Sequence, residues 1–190
     1  MLIRRIRAVL ALVIYVTGFF AFGMTNAKPL FAAIEQRERP EEELLIFEVH
    51  VNDKRRSRGM IAYLPEGEAL HNVLLPLSTL SRVLSIAMKV NTAEGKAQGW
   101  LIEESNVFQL DLARGIVFVG GQEHTLEVGD AEAHFEDIFV RASALQEWCD
   151  MSITPNIALL RLMVQSKKKL PFELEQDRIK RAESYKKGTP

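Results

Sequence analysis

The only cysteine of the chain, Cys149, lies in "IFVRASALQEWCDMSI" (138–153), between Trp148 and Asp150. A nucleophilic or metal-binding thiol must first ionise, and ionisation needs a base or a positive charge close by. Its nearest charged neighbours in the sequence, Glu147 and Asp150, would instead keep it protonated. The expected role is packing, because a free cysteine behaves as a small apolar side chain. An exposed thiol pairing with another chain and a catalytic nucleophile are the competing readings. An internal disulfide is excluded, since one cysteine cannot close a bridge.

The other chemistry-bearing residues are scattered. His50, His71, His124 and His134 occupy four separate segments with no i, i+4 pair, unlike the close ligand spacing of zinc sites. "GDAEAHFED" (129–137) gathers Asp130, Glu132, His134, Glu136 and Asp137. That set would suit an oxygen-rich cation site, but it lacks the glycine-centred loop of a dedicated calcium motif. A solvated acidic turn explains it equally well. "GIVFVGGQ" matches neither the dinucleotide nor the Walker pattern, and no G-x-S-x-G elbow is present. No catalytic residue, metal or cofactor is therefore assigned. Two basic stretches are candidate interaction residues: Arg55, Arg56 and Arg58 in "KRRSR" (54–58), and Lys167, Lys168 and Lys169 with Phe172 in "SKKKLPF" (166–172). The first is expected in an exposed hairpin turn, available to lipid headgroups or surface glycans.

These residues need elements to position them, and the start of the chain reads unlike the rest. Arg4, Arg5 and Arg7 precede the apolar run "AVLALVIYVTGFFAFGM" (8–24), and "TNA" (25–27) offers small residues for cleavage. Residues 1–27 read as a signal peptide, or as an N-terminal anchor if uncleaved. Either way the following chain is expected to be exported, to the periplasm or the outer membrane of a bacterium. Removing three arginines takes the formal charge from −1 to −4, which argues against nucleic acid as a partner. With 47% hydrophobic and 26% charged residues, the chain has the composition of a folded domain. Residues 28–43 mix charges and prolines and read as a flexible linker.

A folded region is expected over 44–166. Alternation in "LLIFEVHV" (44–51) predicts a half-buried strand, "NDKRRSRG" a turn and "MIAYL" (60–64) the returning strand. "VLLPL" (73–77) leads into a helix carrying Leu77, Leu80, Val83, Leu84 and Ala87, with Ser78 or Ser81 available as N-cap. Strands follow at "AMKV", "AQGWLIEE", "NVFQLDLA" and "GIVFV", and then a hairpin at "GGQEHTLEV". An internal echo organises this series. Residues 73–91 align without a gap on 138–156 at an offset of 65, which places Leu75 on Val140, Ser78 on Ser143, Leu80 on Leu145, Leu84 on Cys149 and Asn91 on Asn156. Each copy is followed by another strand, 97–102 in one and 159–164 in the other. The expected fold is α+β: two related strand–helix–strand units, 73–102 and 138–164, with antiparallel strands. Residues 167–190 form a charged helical tail with eight basic and four acidic side chains, suited to ordering against a partner.

This series of a strand, Pro76-Leu77, an L-x-x-L helix, a short strand, an Asn turn and a further strand resembles the copper amine oxidase N-terminal-like module. "LLIFEVHVND", "LLPLSTLSRVLSIAMKVNTAEGKAQGW", "FQLDLARGIVFVGG" and "LPFELEQDRIKRAES" together look like the periplasmic N-terminal region of large usher-like outer-membrane proteins associated with fimbriae. The likeness spans residues 44–184 and includes Gly99 and Trp100. It implies a non-enzymatic assembly module, no copper site, and outer-membrane or pilus-assembly proteins as partners, reached by strand addition at a sheet edge or beside the membrane surface. The rival readings are a polysaccharide- or peptidoglycan-binding module using Trp100 or Trp148, an enzyme built on the acidic cluster, and a truncated fragment of a larger outer-membrane protein. An exposed tryptophan flanked by polar groups would favour the first rival. A cleft joining His134 to two carboxylates would favour the second.

Overall fold

The computed structural model describes residues 34–102 and 105–187. The segment read as a signal or anchor lies outside the described residues, as do the ends of the expected linker and tail. Among the described residues the fold is mixed α+β, with two sheets, three α-helices and mostly antiparallel strands.

Alternation in the first folded segment gives β1 (Leu44–Val51), with Phe47, Val49 and Val51 fully buried. Asn52 and Asp53 both adopt positive φ and turn the chain within two residues, the conformation that matches the twist of a hairpin. "KRRSR" is consequently not a turn. It forms the first half of β2 (Lys54–Tyr63), paired antiparallel with β1 through a register irregularity.

The internal echo is structural. β3 (Leu74–Pro76), α1 (Leu77–Leu84), β4 (Met88–Asn91) and β5 (Lys96–Trp100) are repeated as β10 (Ile138–Arg141), α2 (Ala142–Cys149), β11 (Met151–Asn156) and β12 (Arg161–Ser166). The backbone repeats with them. Ser85 and Asp150 end the two helices in the left-handed conformation, and each is the other's counterpart at an offset of 65. Asn91 Oδ1 accepts the Glu94 N–H, and Asn156 Oδ1 accepts the Leu159 N–H, making the same turn in both hairpins. The offset of 65 continues into the last strands, so β5 matches 161–166 rather than 159–164.

The two units meet through β3 and β10, which pair antiparallel with Leu75 opposite Val140. Those two residues are counterparts, so a local two-fold axis passes through their pair. Around it the units cap each other. Asp137, just before β10, accepts the Ser78 N–H (2.9 Å), the Thr79 N–H (3.3 Å) and the Ser78 hydroxyl (2.5 Å) at the start of α1. Its counterpart Asn72 accepts the Ser143 hydroxyl (3.3 Å) at the start of α2. The expected N-caps Ser78 and Ser81 do not cap. Pro76 holds the N-cap position without a side-chain bond, and Ser81 donates back to the Ser78 carbonyl. A carboxylate from the other unit satisfies the first turn instead, where exposed N–H groups and the helix dipole favour negative charge.

Symmetry breaks at the hairpins. β12 lies parallel to β1, and β11 closes that side of a seven-stranded sheet, β11-β12-β1-β2-β3-β10-β9, where β9 is Ala131–Ala133. β4 and β5 instead start a second sheet that runs on through β6 (Val107–Asp111), β7 (Ile116–Val119) and β8 (Gln122–Thr125). Gly99 permits the β4–β5 contact, because a Cβ there would lie 2.2 Å from the Ala87 carbonyl oxygen. The inner faces of both sheets and one side of α1 and α2 form a single core containing Phe47, Leu84, Phe108, Leu145 and Trp148. The chain then enters α3 (Pro171–Lys187), whose first turn is rooted in that core by Leu170 and Phe172.

Asp137→Ala should lower stability to urea by about 1–2 kcal/mol, and Asn72→Ala by about 0.5–1 kcal/mol, with Asp137→Asn recovering part of the loss. Equal costs for the two alanine variants would show that the carboxylate at α1 is no more important than the amide at α2.

Candidate functional site

The residues singled out for chemistry are mostly closed into structural pairs. Cys149 is 5% exposed and faces Leu77, Leu84, Leu145 and Met151 around an apolar void of about 20 Å³. Burial pushes its thiol up to about 12, the opposite of activation. The packing expectation holds, with Cys149 standing in α2 where α1 has Leu84.

The acidic cluster is dispersed by its contacts. Asp137 caps α1, and Asp130 accepts the Glu127 N–H (2.8 Å) and lies 3.6 Å from Arg141. Glu132 is buried and accepts four donors: Arg39 Nε and Nη2 at 2.8 Å each, Arg37 Nη1 at 3.2 Å and His134 Nε2 at 2.8 Å. The His134 ring packs on Phe139 (4.4 Å between centroids) and Tyr63 (5.4 Å). Burial is the largest influence on Glu132 and pushes its carboxyl up. The hydrogen bonds and charges of Arg39 and His134 together outweigh it and bring the value down to about 2. His134 thus meets one carboxylate in a closed hydrogen-bonded contact, not two across a cleft. Among the described residues no group of three or more His, Cys, Asp and Glu side chains is placed to hold a metal ion.

Of the segment 28–43 read as a flexible linker, the described part from Ile34 onward is held against the fold, partly by the Glu132 contacts. Ile34 packs over Gly95, Gln36 bridges to Ala133, and the Arg37 N–H donates to the Ala133 carbonyl. Arg37 and Arg39 then clamp the strap to Glu132 beneath it.

The basic candidates do not form one surface. Successive strand residues point to opposite faces, so Arg55 lies 3.7 Å from Glu48 on the outer side of β1, while Arg56 turns the other way. Its Nε donates to the Val83 carbonyl (3.3 Å), and its guanidinium lies 3.9 Å from the centre of the Phe172 ring. Arg58 is exposed on β2. Phe172, expected as a contact residue, is only 4% exposed. With Leu170 it plugs one end of the core, which fixes the start of the tail instead of leaving an apolar anchor free. Lys167 is 3.9 Å from Asp150, Lys169 is 2.5 Å from Asp177, and Lys168 lies exposed between them. Beyond its first turn, α3 presents Leu174, Ile179 and Tyr185 to solvent.

One extended surface is not closed in this way: the outer face of the five-stranded sheet. Lys89, Gln98, Gln109, Phe118 and Glu123 stand in register across all five strands and alternate with the buried row Ala97, Leu110 and Val117. Two residues further along β5, on the same face, stands Trp100, 39% exposed, with Val107 opposite it. Two adjoining depressions of about 450 and about 600 Å³ cover this face and share Lys89, Gln98 and Gln109, so together they make a broad open groove that spans the sheet. The two tryptophans divide: Trp100 is exposed, between Val107 across the strand pair and Gln98 on its own strand, and Trp148 is buried at 7%. The signal for this face was the alternation in "AQGW", which turns Gln98 and Trp100 to one side. The cross-strand partners Gln109 and Phe118 could not be read before the register was known.

No family model, no curated protein and no solved structure matches the chain.

Two outcomes follow from these pairs. Glu132 has a folded value below its ordinary 4.5, so its ion pair contributes stability above about pH 4.5 that is lost as pH falls toward 2. That contribution is about 2–3 kcal/mol. Urea midpoints measured across this range should fall steeply in the parent chain and less steeply in Glu132→Gln, which should already be weaker at pH 7. Cys149 should resist a bulky thiol reagent in the native state and react only on unfolding. Rapid native labelling would contradict its burial.

Proposed function

We propose that the chain is a non-enzymatic recognition module of the bacterial cell envelope, working through the outer face of the β4–β8 sheet. The observation that carries this reading is the contrast between the polar clusters and that face. Glu132, His134, Asp130 and Asp137, the cluster that suggested acid–base chemistry, are each committed to contacts within the chain instead of facing a cleft. The outer face instead offers an exposed tryptophan, two adjacent amides and a long groove, features of a binding surface. Export to the periplasm or outer membrane rests on the Arg4–Arg7 and 8–24 pattern.

A second reading keeps the assembly role, with an outer-membrane or pilus-assembly protein adding a strand at a sheet edge. What favours it is the unequal treatment of the edges. β9 is covered by Gln36 and Arg37. β11 carries Pro155, which has no N–H, and the Ile153 N–H is taken by the Gln146 side chain (2.9 Å). β4 and β8 are the outer strands of the other sheet. Both readings therefore place recognition on the β4–β8 sheet and separate only face from edge.

A photo-reactive residue installed in the full chain in its host separates them. Substitution at Gln109, in the centre of the face, should yield adducts with an envelope component, and substitution at Ser152 on the seven-stranded sheet should yield none. Adducts from Gln122 on β8 alone would move recognition to the edge. Adducts from Ser152 alone would overturn both.

A further inference from the structure

We propose that the groove on the β4–β8 sheet takes a linear, uncharged saccharide chain, with Trp100 and Phe118 stacking on its rings and Gln98 and Gln109 bonding its hydroxyls. This rests on the reading of that face as the recognition surface and names the ligand class.

The chemistry of the lining selects the ligand. A pyranose ring has an apolar face and a rim of hydroxyls that both donate and accept. A complementary surface therefore needs flat aromatic groups beside side chains that can do both. The carboxamide does both at once, with a carbonyl oxygen and two N–H donors. Gln98 and Gln109 sit directly opposite each other on β5 and β6, with Phe118 next in the same row and Trp100 two residues along β5. From strand spacing and rise, Trp100 and Phe118 stand about 12 Å apart on the diagonal. The platforms are thus separated along an extended ligand, not gathered around one ring.

Three observations exclude other ligands. The groove lining carries Lys89, Lys96 and Arg114 against Glu94, Asp111 and Glu123, a balance that gives a polyanion such as nucleic acid no net attraction. β5, β6 and β7 each have strand neighbours on both sides. An extended peptide lying on this face would find no free main-chain partners there, so the ligand must be held by side chains alone. Finally, the groove is open and extended, reaching from Trp100 and Val107 on β5 and β6 diagonally across the sheet to Phe118 and Glu123 on β7 and β8. A monosaccharide would leave most of it empty, whereas a chain would use its length.

The two tryptophans provide the assay, since only Trp100 is exposed. Full-length protein is titrated with the β-1,4-linked hexamers of glucose and of N-acetylglucosamine, followed by tryptophan emission and by calorimetry, with the matching monosaccharides as controls. The expected result is a saturable blue shift with at least one hexamer and none with the monosaccharides. Trp100→Ala should weaken calorimetric binding about tenfold or more, and Gln109→Ala about three- to tenfold. Circular dichroism checks that both variants are folded, and Phe118→Ala serves as a second test of stacking. Absence of saturable binding to either hexamer overturns the proposal, as does binding that Trp100→Ala, Phe118→Ala and Gln109→Ala leave unchanged. If the hexamers fail while a photo-reactive residue at Gln109 still captures a protein component, the saccharide assignment falls and the recognition face stands.

Discussion

Two strand–helix–strand units close on each other because each supplies what the other's helix lacks. An eight-residue helix is too short to be stable alone in water, and α1 enters from Pro76, whose side chain can satisfy none of the exposed N–H groups. Asp137 meets that need from 59 residues away, holding two backbone N–H groups and a hydroxyl of α1 as well as the Ile138 N–H at the start of its own strand. Asn72 makes a lesser contact at α2, accepting the Ser143 hydroxyl and no backbone N–H. The two contacts flank the Leu75–Val140 pair, so strand register, helix start and the packing of Leu84 against Cys149 form one cooperative arrangement. A register slip between β3 and β10 would break both caps at once and turn the buried residues of both strands to the wrong face.

Much of this arrangement was legible in the sequence, because the repeat is written in apolar periodicity. The alignment of 73–91 on 138–156 by itself places both helices and both Asn turns and assigns Cys149 to packing. The capping partners were not legible. Asp137 looks like one more acid in "AEAHFED", and its commitment depends on a pairing between distant segments. The basic stretch was misread for a local reason. "NDKRRSRG" contains enough polar residues for a long loop, yet Asn52 and Asp53 complete the turn alone and leave Lys54–Gly59 in the strand. Phe172 was misread because one apolar residue in a charged helix gives no sign of whether the core beneath it has a vacancy.

The strap formed by residues 34–43 shows how a polar segment can be ordered without an apolar stripe. Arg39 meets Glu132 with two parallel 2.8 Å bonds, the fork geometry that fixes orientation as well as charge. Stripping water from a carboxylate is costly, and removing one member of such a pair leaves a buried charge. Once formed, the pair therefore specifies where the strap lies and keeps the β9 edge covered, where Gln36 and Arg37 take the place of a neighbouring strand. Glu132 and His134 are thereby spent on structure, although as residue types they resembled catalytic candidates.

What symmetry does not dictate is where function has room to arise. In the second unit the β11–β12 hairpin lies against β1, and its outward residues Arg161, Met163 and Gln165 are the counterparts of Lys96, Gln98 and Trp100. Arg161 joins Arg55 and His50 around Glu48, so that face is occupied by a charge network belonging to the fold. In the first unit the hairpin is extended by β6, β7 and β8, whose inner residues Phe108, Leu110, Val117 and Val119 complete the core. That core requirement constrains only every second residue. The alternate residues are free of it, and they are the ones that carry the exposed tryptophan, the paired amides and the phenylalanine. The fold needs the inner rows of the inserted strands. Nothing in the core requires Trp100, so its exposed indole, two residues along β5 from Gln98, is the feature of this face that the proposed recognition role explains.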